Sequence, residues 1–299
     1  MDIEQKRKGF LEKLDNTFKR LRIFLKFVGP GFGRKIGKLF FTPHIYLPYG
    51  LKKIKYKNSD FVDAKLFYGK KIRLQMIDDN AFAFLFFGLL IDEYKLTKFF
   101  IKNLKEDDVF YDIGANEGFC TYLAAEFCKE THSFEPTPNV FENLKLNLSH
   151  NKNIFLNNIA LSSESGETFL YLANSSGPNT IIDSVARVRN YDERKIKVRT
   201  ITLDDYIKNH NKPTVIKMDI EGAEKMVIEG GSDFFKNNSP TIAMEVWNDV
   251  KEMDKHIPMG AVDVLRSFGY ESYSIDQEGE LKRVNGELSS DNYIFKKPV

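Results

Sequence analysis

The stretch "VFYDIGANEGFCTYLAAEFC", Val109 to Cys128, decides the fold. An apolar run ends in Asp112, two glycines bracket Asn116, and helical spacing follows. A strand that passes into a helix through such a loop is the nucleotide-binding turn of an α/β protein. Gly114 permits the tight turn and a close backbone approach, and Gly118 lets the helix start against the sheet. Glycines also punctuate ordinary strand-to-helix turns, so the loop alone leaves both readings open.

The next strand ends in "FEP", which puts Glu135 23 residues after Asp112. That is close to the roughly 20-residue offset at which an acidic side chain reaches a ribose diol. Proline stops the strand at the carboxyl edge of the sheet, where open α/β sheets bind ligands. A dinucleotide loop reads G-x-G-x-x-G, but Asn116 stands at the middle position and no second phosphate site is visible. An adenosine cofactor without phosphates fits better. S-adenosylmethionine is such a molecule, and Asp112 would face its amino group.

Outward from this loop, strand and helix signals alternate as in a parallel sheet with crossover helices. Strands are expected at Asp108–Gly114, His132–Pro136, Ile154–Leu161, Thr214–Ile220 and Thr241–Trp247, with helices after the first, second, fourth and fifth. "YESYSID" and "DNYIFKK" read as a closing antiparallel pair. Upstream, "FVDAKLFYGKKIRLQ" reads as a hairpin around Tyr68-Gly69, and "FGLLIDEYKLTKFFIKNL" has helical spacing. The apolar run Ala81–Ile91 is about half of what spans a bilayer and reads as a buried segment.

Residues 1–75 form a basic arm and 76–299 a Rossmann-like domain. Residues 1–60 hold 15 Lys/Arg against 5 Asp/Glu, leaving 29 against 37 of the chain's 44 and 42 for the rest. Phe10, Leu14, Phe18, Leu21, Leu25 and Val28 follow helical spacing until "GPGFG" (Gly29–Gly33) ends the helix. A basic amphipathic helix either rests on an anionic membrane or packs on its own body or a twin subunit. No nucleic-acid motif accompanies the charge, so nucleic acid is not expected as a partner. Cys120 and Cys128 fall in one expected helix, about 12 Å apart along it, too far for a disulfide. A reducing, cytoplasmic location follows, with peripheral contact at the inner membrane surface open to the arm.

"DIGANEGF", "FEP", "NNIALS", "TITLDDYI", "IKMDIEGAE" and "PTIAMEV", in this order, resemble the FkbM family of S-adenosylmethionine-dependent methyltransferases. The resemblance runs from about Leu104 to Trp247. It implies the class I methyltransferase fold, a seven-stranded, mostly parallel Rossmann-like sheet with flanking helices. It also implies methylation of an oxygen, often a hydroxyl on a sugar or natural product. Carried over by residue, Asp112, Gly114, Asn116 and Gly118 form the cofactor loop and Glu135 is the ribose carboxylate. Asn158 and Ala160 would lie near the adenine. The family's variable segment falls near "NSSGPNTII" (Asn174–Ile182), which implies an acceptor pocket that includes Asn179.

"IKMDIEGAEKMVIEGG" puts Lys217, Asp219 and Glu221 at alternating positions, so an extended strand aims all three to one face. Glu224 follows in the first turn of a helix, where negative charge is favoured. Methyl transfer from a sulfonium needs alignment of acceptor and donor, exclusion of water, and a general base for a hydroxyl acceptor. Asp219 is the first choice as base. Lys217 either tunes it or, when neutral, takes the proton itself, and Glu221 orients the acceptor. Glu245 ends the neighbouring strand and belongs to the substrate side. Asp219 and Glu245 could hold Mg²⁺, but the lysine compensates the charge and no metal is favoured. The five His have no zinc-ligand spacing. Arg187, Arg189 and Arg199 suit an anionic acceptor or a solvated face. The competing functions are an NAD-linked oxidoreductase, against which Asn116 stands, and a catalytically silent docking protein, which would show decay of these motifs.

Overall fold

The computed structural model describes residues 2–25, 51, 55, 61–75, 84–173, 179–188, 194–246 and 256–298. Contacts divide the chain into two compact units, Met1–Lys102 and Asn103–Val299. Val28, "GPGFG" and Arg189 lie outside the described residues, as does the side chain of Arg187.

In the first unit, helix α1 (Ile3–Leu25) buries Phe10, Leu14, Leu21 and Phe24. This stripe is spent within its own unit. Phe10 stacks on Tyr68 at 4.7 Å between ring centroids, Phe18 on Tyr94, and Phe24 meets Phe87. Strands β1 (Phe61–Lys65) and β2 (Lys71–Gln75) pair antiparallel from Phe61↔Gln75 to Lys65↔Lys71, the hairpin expected around Tyr68-Gly69. Helix α2 (Tyr94–Asn103) carries Lys98, which is 5% exposed; its Nζ lies 3.0 Å from Asp15 Oδ1 on α1 and donates to the Tyr94 hydroxyl. Apolar burial and one compensated charge therefore fasten α1 in place, as in the second of the two readings for this helix. Phe84, Leu85, Phe87 and Leu89 of the apolar run are buried. Among the described residues no helix is long and apolar enough to cross a membrane.

The second unit is built on an eight-stranded sheet. Its strands are β3 (Val109–Ile113), β4 (Glu130–Phe134), β5 (Ile154–Asn157), β9 (Val215–Met218), β10 (Thr241–Val246), β11 (Glu271–Ile275), β12 (Leu281–Val284) and β13 (Asp291–Lys296). They run in the order β12-β11-β13-β10-β9-β3-β4-β5. Neighbours from β10 through β5 pair parallel and β13 inserts antiparallel between β10 and β11. The seven expected strands are all present; the eighth, β12, lies in the loop between the closing pair. All five residues of β3 are buried, as expected for a central strand covered on both faces. Helices α3 (Phe119–Ala124), α4 (Pro138–Leu148), α7 (Glu224–Gly230) with α8 (Ser232–Asn237), and α9 (His256–Ser267) follow the strands predicted to precede helices.

Two expectations change. The strand expected over Ile154–Leu161 breaks at Asn158, whose side-chain amide donates to the Glu135 and Pro136 carbonyls. Its continuation, β6 (Ala160–Leu161), joins a separate sheet ordered β6-β8-β7, with β7 (Gly166–Tyr171) and β8 (Lys195–Ile201), between which in the chain lies helix α5 (Asp183–Val188). Helix α3 ends at Ala124, so Cys128 falls beyond it; both cysteines are free and buried. The "TLDD" motif has a structural office. Thr202 caps α6 (Leu203–Tyr206) by accepting from Asp205 N–H, and Asp204 accepts from the N–H groups of Asp233 and Phe234 at the start of α8.

Candidate active site

Three strand ends form the site at the carboxyl edge of the large sheet. The β3 end supplies Asp112 and the glycine loop. Gly114, Asn116 and Gly118 have φ of 82°, 50° and 96°. A Cβ at Gly114 would lie 2.0 Å from the Asp219 carbonyl oxygen, so the loop runs directly against the neighbouring turn and tolerates no side chain. A Cβ at Gly118 would meet Leu148 and Leu144 of α4 within 2.7 Å, so this glycine lets helix pack on helix, where a start against the sheet was expected.

The β4 end supplies Glu135, which is buried and accepts from the N–H of Asn116 (3.1 Å) and of Thr137 (2.8 Å). Burial pushes its carboxyl above the ordinary range, while the Thr137 and Asn116 bonds and Lys217 hold it down. A carboxylate offers about four lone-pair sites, so two remain for a diol. Asn158 fixes the same corner through the Glu135 carbonyl. Ala160 is buried in β6 opposite Thr200, in the second sheet.

The β9 end supplies the charges. Lys217, 6% exposed, lies between two carboxylates, its Nζ 3.2 Å from Asp219 Oδ2 and 3.7 Å from Asp112 Oδ1, and it donates to the Gly114 carbonyl at 3.3 Å. Asp112 is fully buried; its Oδ2 accepts from Thr121 of α3, and its Oδ1 has no hydrogen-bond partner among the described residues. Burial pushes the Asp112 carboxyl up, opposed first by Lys217 and then by Thr121. Thr121 and Thr137 gave no sequence signal, since each acts through a tertiary contact.

Asp219, Glu221 and Glu245 converge, with one oxygen from each within 4.8 Å of the others. Glu245 arrives by register, because Met244 pairs with Met218 and the next residues then lie side by side. Glu221 arrives differently from the strand alternation expected for it. β9 ends at Met218, and Glu221 takes a left-handed φ of 58° followed by Gly222 at 100°. Asn179 reaches the Glu135 side, donating to Thr137 Oγ1 at 3.2 Å. Arg199 is exposed on β8, in register with Glu167 of β7.

Beneath the cluster lies Glu224, 4% exposed, whose Oε1 accepts from Ile220 N–H at 3.1 Å. Its carboxyl is pushed up to about 7, first by burial and then by Asp219 and Glu245, against the pull of its own and the Ile220 N–H. The folded state therefore binds a proton here that the unfolded chain releases near 4.5. Stability present below that value falls as pH rises toward 7, then levels off, with a total loss of about 3 kcal/mol. Glu224→Gln is expected to flatten this fall. Melting temperatures between pH 4 and 8 for both proteins check it, and parallel curves would refute the assignment.

A family model described as "Methyltransferase FkbM domain" matches residues 112–272, more than half of the chain. The hexuronic acid methyltransferase AglP of Haloferax volcanii is 26% identical over 171 residues, 54% of this chain and 66% of that protein. The chain thus spans just under two thirds of the curated relative. The crystal structure of methyltransferase FkbM from Methylobacillus flagellatus covers 73% of this chain and 55% of its own at 13% identity, with a TM-score of 0.43. Aeropyrum pernix fibrillarin with natively bound S-adenosyl-L-methionine covers 68% and 74% at 13% identity and a TM-score of 0.38.

Proposed function

We propose that this chain, which belongs to the FkbM methyltransferase family, transfers a methyl group from S-adenosylmethionine to a hydroxyl of a sugar or glycan. The observation that carries the reading is the meeting of the glycine loop, Glu135 and the Lys217–Asp219 pair at one sheet edge. The residues suit the cofactor. Asp112 keeps a buried carboxylate oxygen beside the loop, without a hydrogen-bond partner among the described residues and 3.7 Å from the Lys217 ammonium, which fits a second ammonium, and Glu135 fits a ribose diol. When bound, S-adenosylmethionine supplies an electrophilic methyl group on a cationic sulfur, a charge the three carboxylates favour.

The chain's own part is positioning and proton transfer. Lys217 holds Asp219 by Oδ2 and leaves Oδ1 to accept the proton of the acceptor hydroxyl. Glu221 and Glu245 orient that hydroxyl and its neighbours. The same carboxylates repel an acidic acceptor group, so a hexuronic acid would enter with its carboxylate turned away and a hydroxyl at Asp219. Asp219, Glu221 and Glu245 could also hold Mg²⁺, but Lys217 already compensates Asp219, so activity is expected to survive chelation. Mass spectrometry of neutral and hexuronate oligosaccharides after incubation with S-adenosylmethionine, with and without EDTA, tests the reading. A gain of one methyl group is the expected product, and its absence from every hydroxyl acceptor offered counts against a sugar substrate. The oxidoreductase and silent-protein alternatives have no observation in their favour.

Residues 1–102 hold 22 Lys/Arg against 10 Asp/Glu, about +12, and the remaining 22 of 44 and 32 of 42 give about −10. With the apolar face of α1 buried, the basic unit is left to meet an anionic membrane by charge alone, at about 1 kcal/mol per cation near the surface. Sedimentation with phosphatidylglycerol vesicles should be strong at low salt and lost near 0.5 M, a salt level that collapses the screening length to a few ångströms. Equal sedimentation with neutral phosphatidylcholine would contradict it.

A further inference from the structure

The chain leaves β7 at Tyr171 and returns beside it at Thr180, where the two residues exchange both backbone hydrogen bonds. At this return, neighbouring side chains reach different parts of the site. Thr180, 1% exposed, donates its hydroxyl to the Glu221 carbonyl at 2.9 Å and accepts from Ile182 N–H at 3.1 Å. Asn179 accepts from Ala173 N–H at 2.9 Å and donates to Thr137 Oγ1 at 3.2 Å.

Both targets are unusual. Thr137 is the N-cap of α4, a position from which threonine normally accepts from the helix's own N–H groups, yet its side chain makes no capping bond. Thr202, the N-cap of α6, makes one. The Thr137 hydroxyl is turned to Asn179 while its N–H holds Glu135 Oε1. Glu221 sits at φ 58°, a region that a side-chain-bearing residue keeps only where its surroundings over-determine it. Its carbonyl is held by Thr180. The turn that includes Glu221 also touches the cofactor loop, through the contact of the Asp219 carbonyl with Gly114.

We propose that Asn179 and Thr180 are positioning residues for the cofactor cleft. Asn179 holds the Glu135 wall through Thr137, and Thr180 holds the Asp219–Gly222 wall through the Glu221 carbonyl. This deepens the methyltransferase reading and rests on it, and it moves Asn179 from the acceptor side to the cofactor side. Neither residue needs to touch the ligand. Each removes freedom that binding would otherwise have to freeze.

The test is calorimetric titration of the full chain with S-adenosylhomocysteine, alongside the melting temperature of each unliganded protein. Asn179→Ala and Thr180→Val are each expected to weaken binding about five- to tenfold, the scale of one lost hydrogen bond. Thr180→Ser, which keeps the hydroxyl, should bind within about twofold of the unmodified chain on the same scale. Thr137→Val should weaken binding at least as much as Asn179→Ala, because the threonine hydroxyl also bonds Glu135, and the double variant should be no weaker than Thr137→Val alone, because the Asn179 bond acts through that hydroxyl. Lower melting temperatures with unchanged affinity would mean a purely structural role and overturn the proposal. Should Thr180→Val not fold, Asn179→Ala and Thr180→Ser still decide it. Failure of the unmodified chain to bind S-adenosylhomocysteine would instead sink the cofactor reading, and the proposal with it.

Discussion

Glu135→Ala is expected to weaken S-adenosylhomocysteine binding by at least about 100-fold, measured by calorimetry against the unmodified chain. Two ribose hydroxyls donating to a charged carboxylate contribute about 1.5–3 kcal/mol each, so losing both exceeds two powers of ten. A second loss adds to the first. The Glu135 carboxylate also accepts from the N–H groups of Asn116 and Thr137, so alanine releases the Asn116 turn from its tether as well as removing the ligand's acceptor. The stability of the unliganded protein should change less than the affinity. Burial already penalises this carboxylate, so alanine removes a costly charge along with two hydrogen bonds. Glu135→Gln separates the effects, because one amide oxygen still accepts from a backbone N–H but the charge is gone. It should fall between the two, about tenfold weaker than glutamate. Unchanged affinity in the alanine variant would remove Glu135 from the cofactor site.

The parts of this site that the sequence disclosed are the parts whose determinants lie close together along the chain. Gly114 and Gly118 announce a loop because a single segment must turn, approach a neighbour and start a helix within a few residues. Glu135 could be placed because β4 is parallel to β3 and a βαβ unit has a nearly fixed length. Glu245 could be set beside Asp219 because adjacent parallel strands end at the same edge. What stayed hidden depends on which single side chains the fold brings into contact, near or far along the chain. Thr121 acts on Asp112 from one turn inside α3, Thr180 acts on Glu221 across 41 positions, and Asn179 acts on Thr137 across 42. None of these has a periodicity to read. The β6-β8-β7 sheet was missed for another reason: an apolar stretch from Ile154 to Leu161 looks like one strand, and only the turn of the Asn158 amide toward the Glu135 carbonyl divides it. The α1 stripe shows the limit from the other side. Its spacing predicted a helix with one apolar face correctly, but an amphipathic pattern does not say what covers that face. Here Tyr68, Phe87 and Tyr94 do.

Asp219→Asn is expected to lower kcat by about 10²- to 10⁴-fold, the range of a positioned general base, while S-adenosylhomocysteine affinity stays within a few-fold. The substitution is nearly isosteric, and the asparagine oxygen can still accept from Lys217, so the β9 turn should hold its shape. What it removes is the capacity to take a proton. Lys217 is the one competing base on this strand, and the structure weighs against it. Its Nζ lies within 4 Å of two carboxylates, which favours the charged ammonium, and an ammonium has no lone pair to offer. Losing one of those carboxylates in the asparagine variant leaves Lys217 facing Asp112 alone and eases its neutralisation. If lysine were the base, the variant would therefore keep its rate, and the rising limb of its pH–rate profile would shift downward. If Asp219 is the base, the rate falls at every pH and no such shift rescues it. Comparing kcat across pH for the two proteins, on whichever saccharide accepts a methyl group, thus assigns the proton to one side chain or the other.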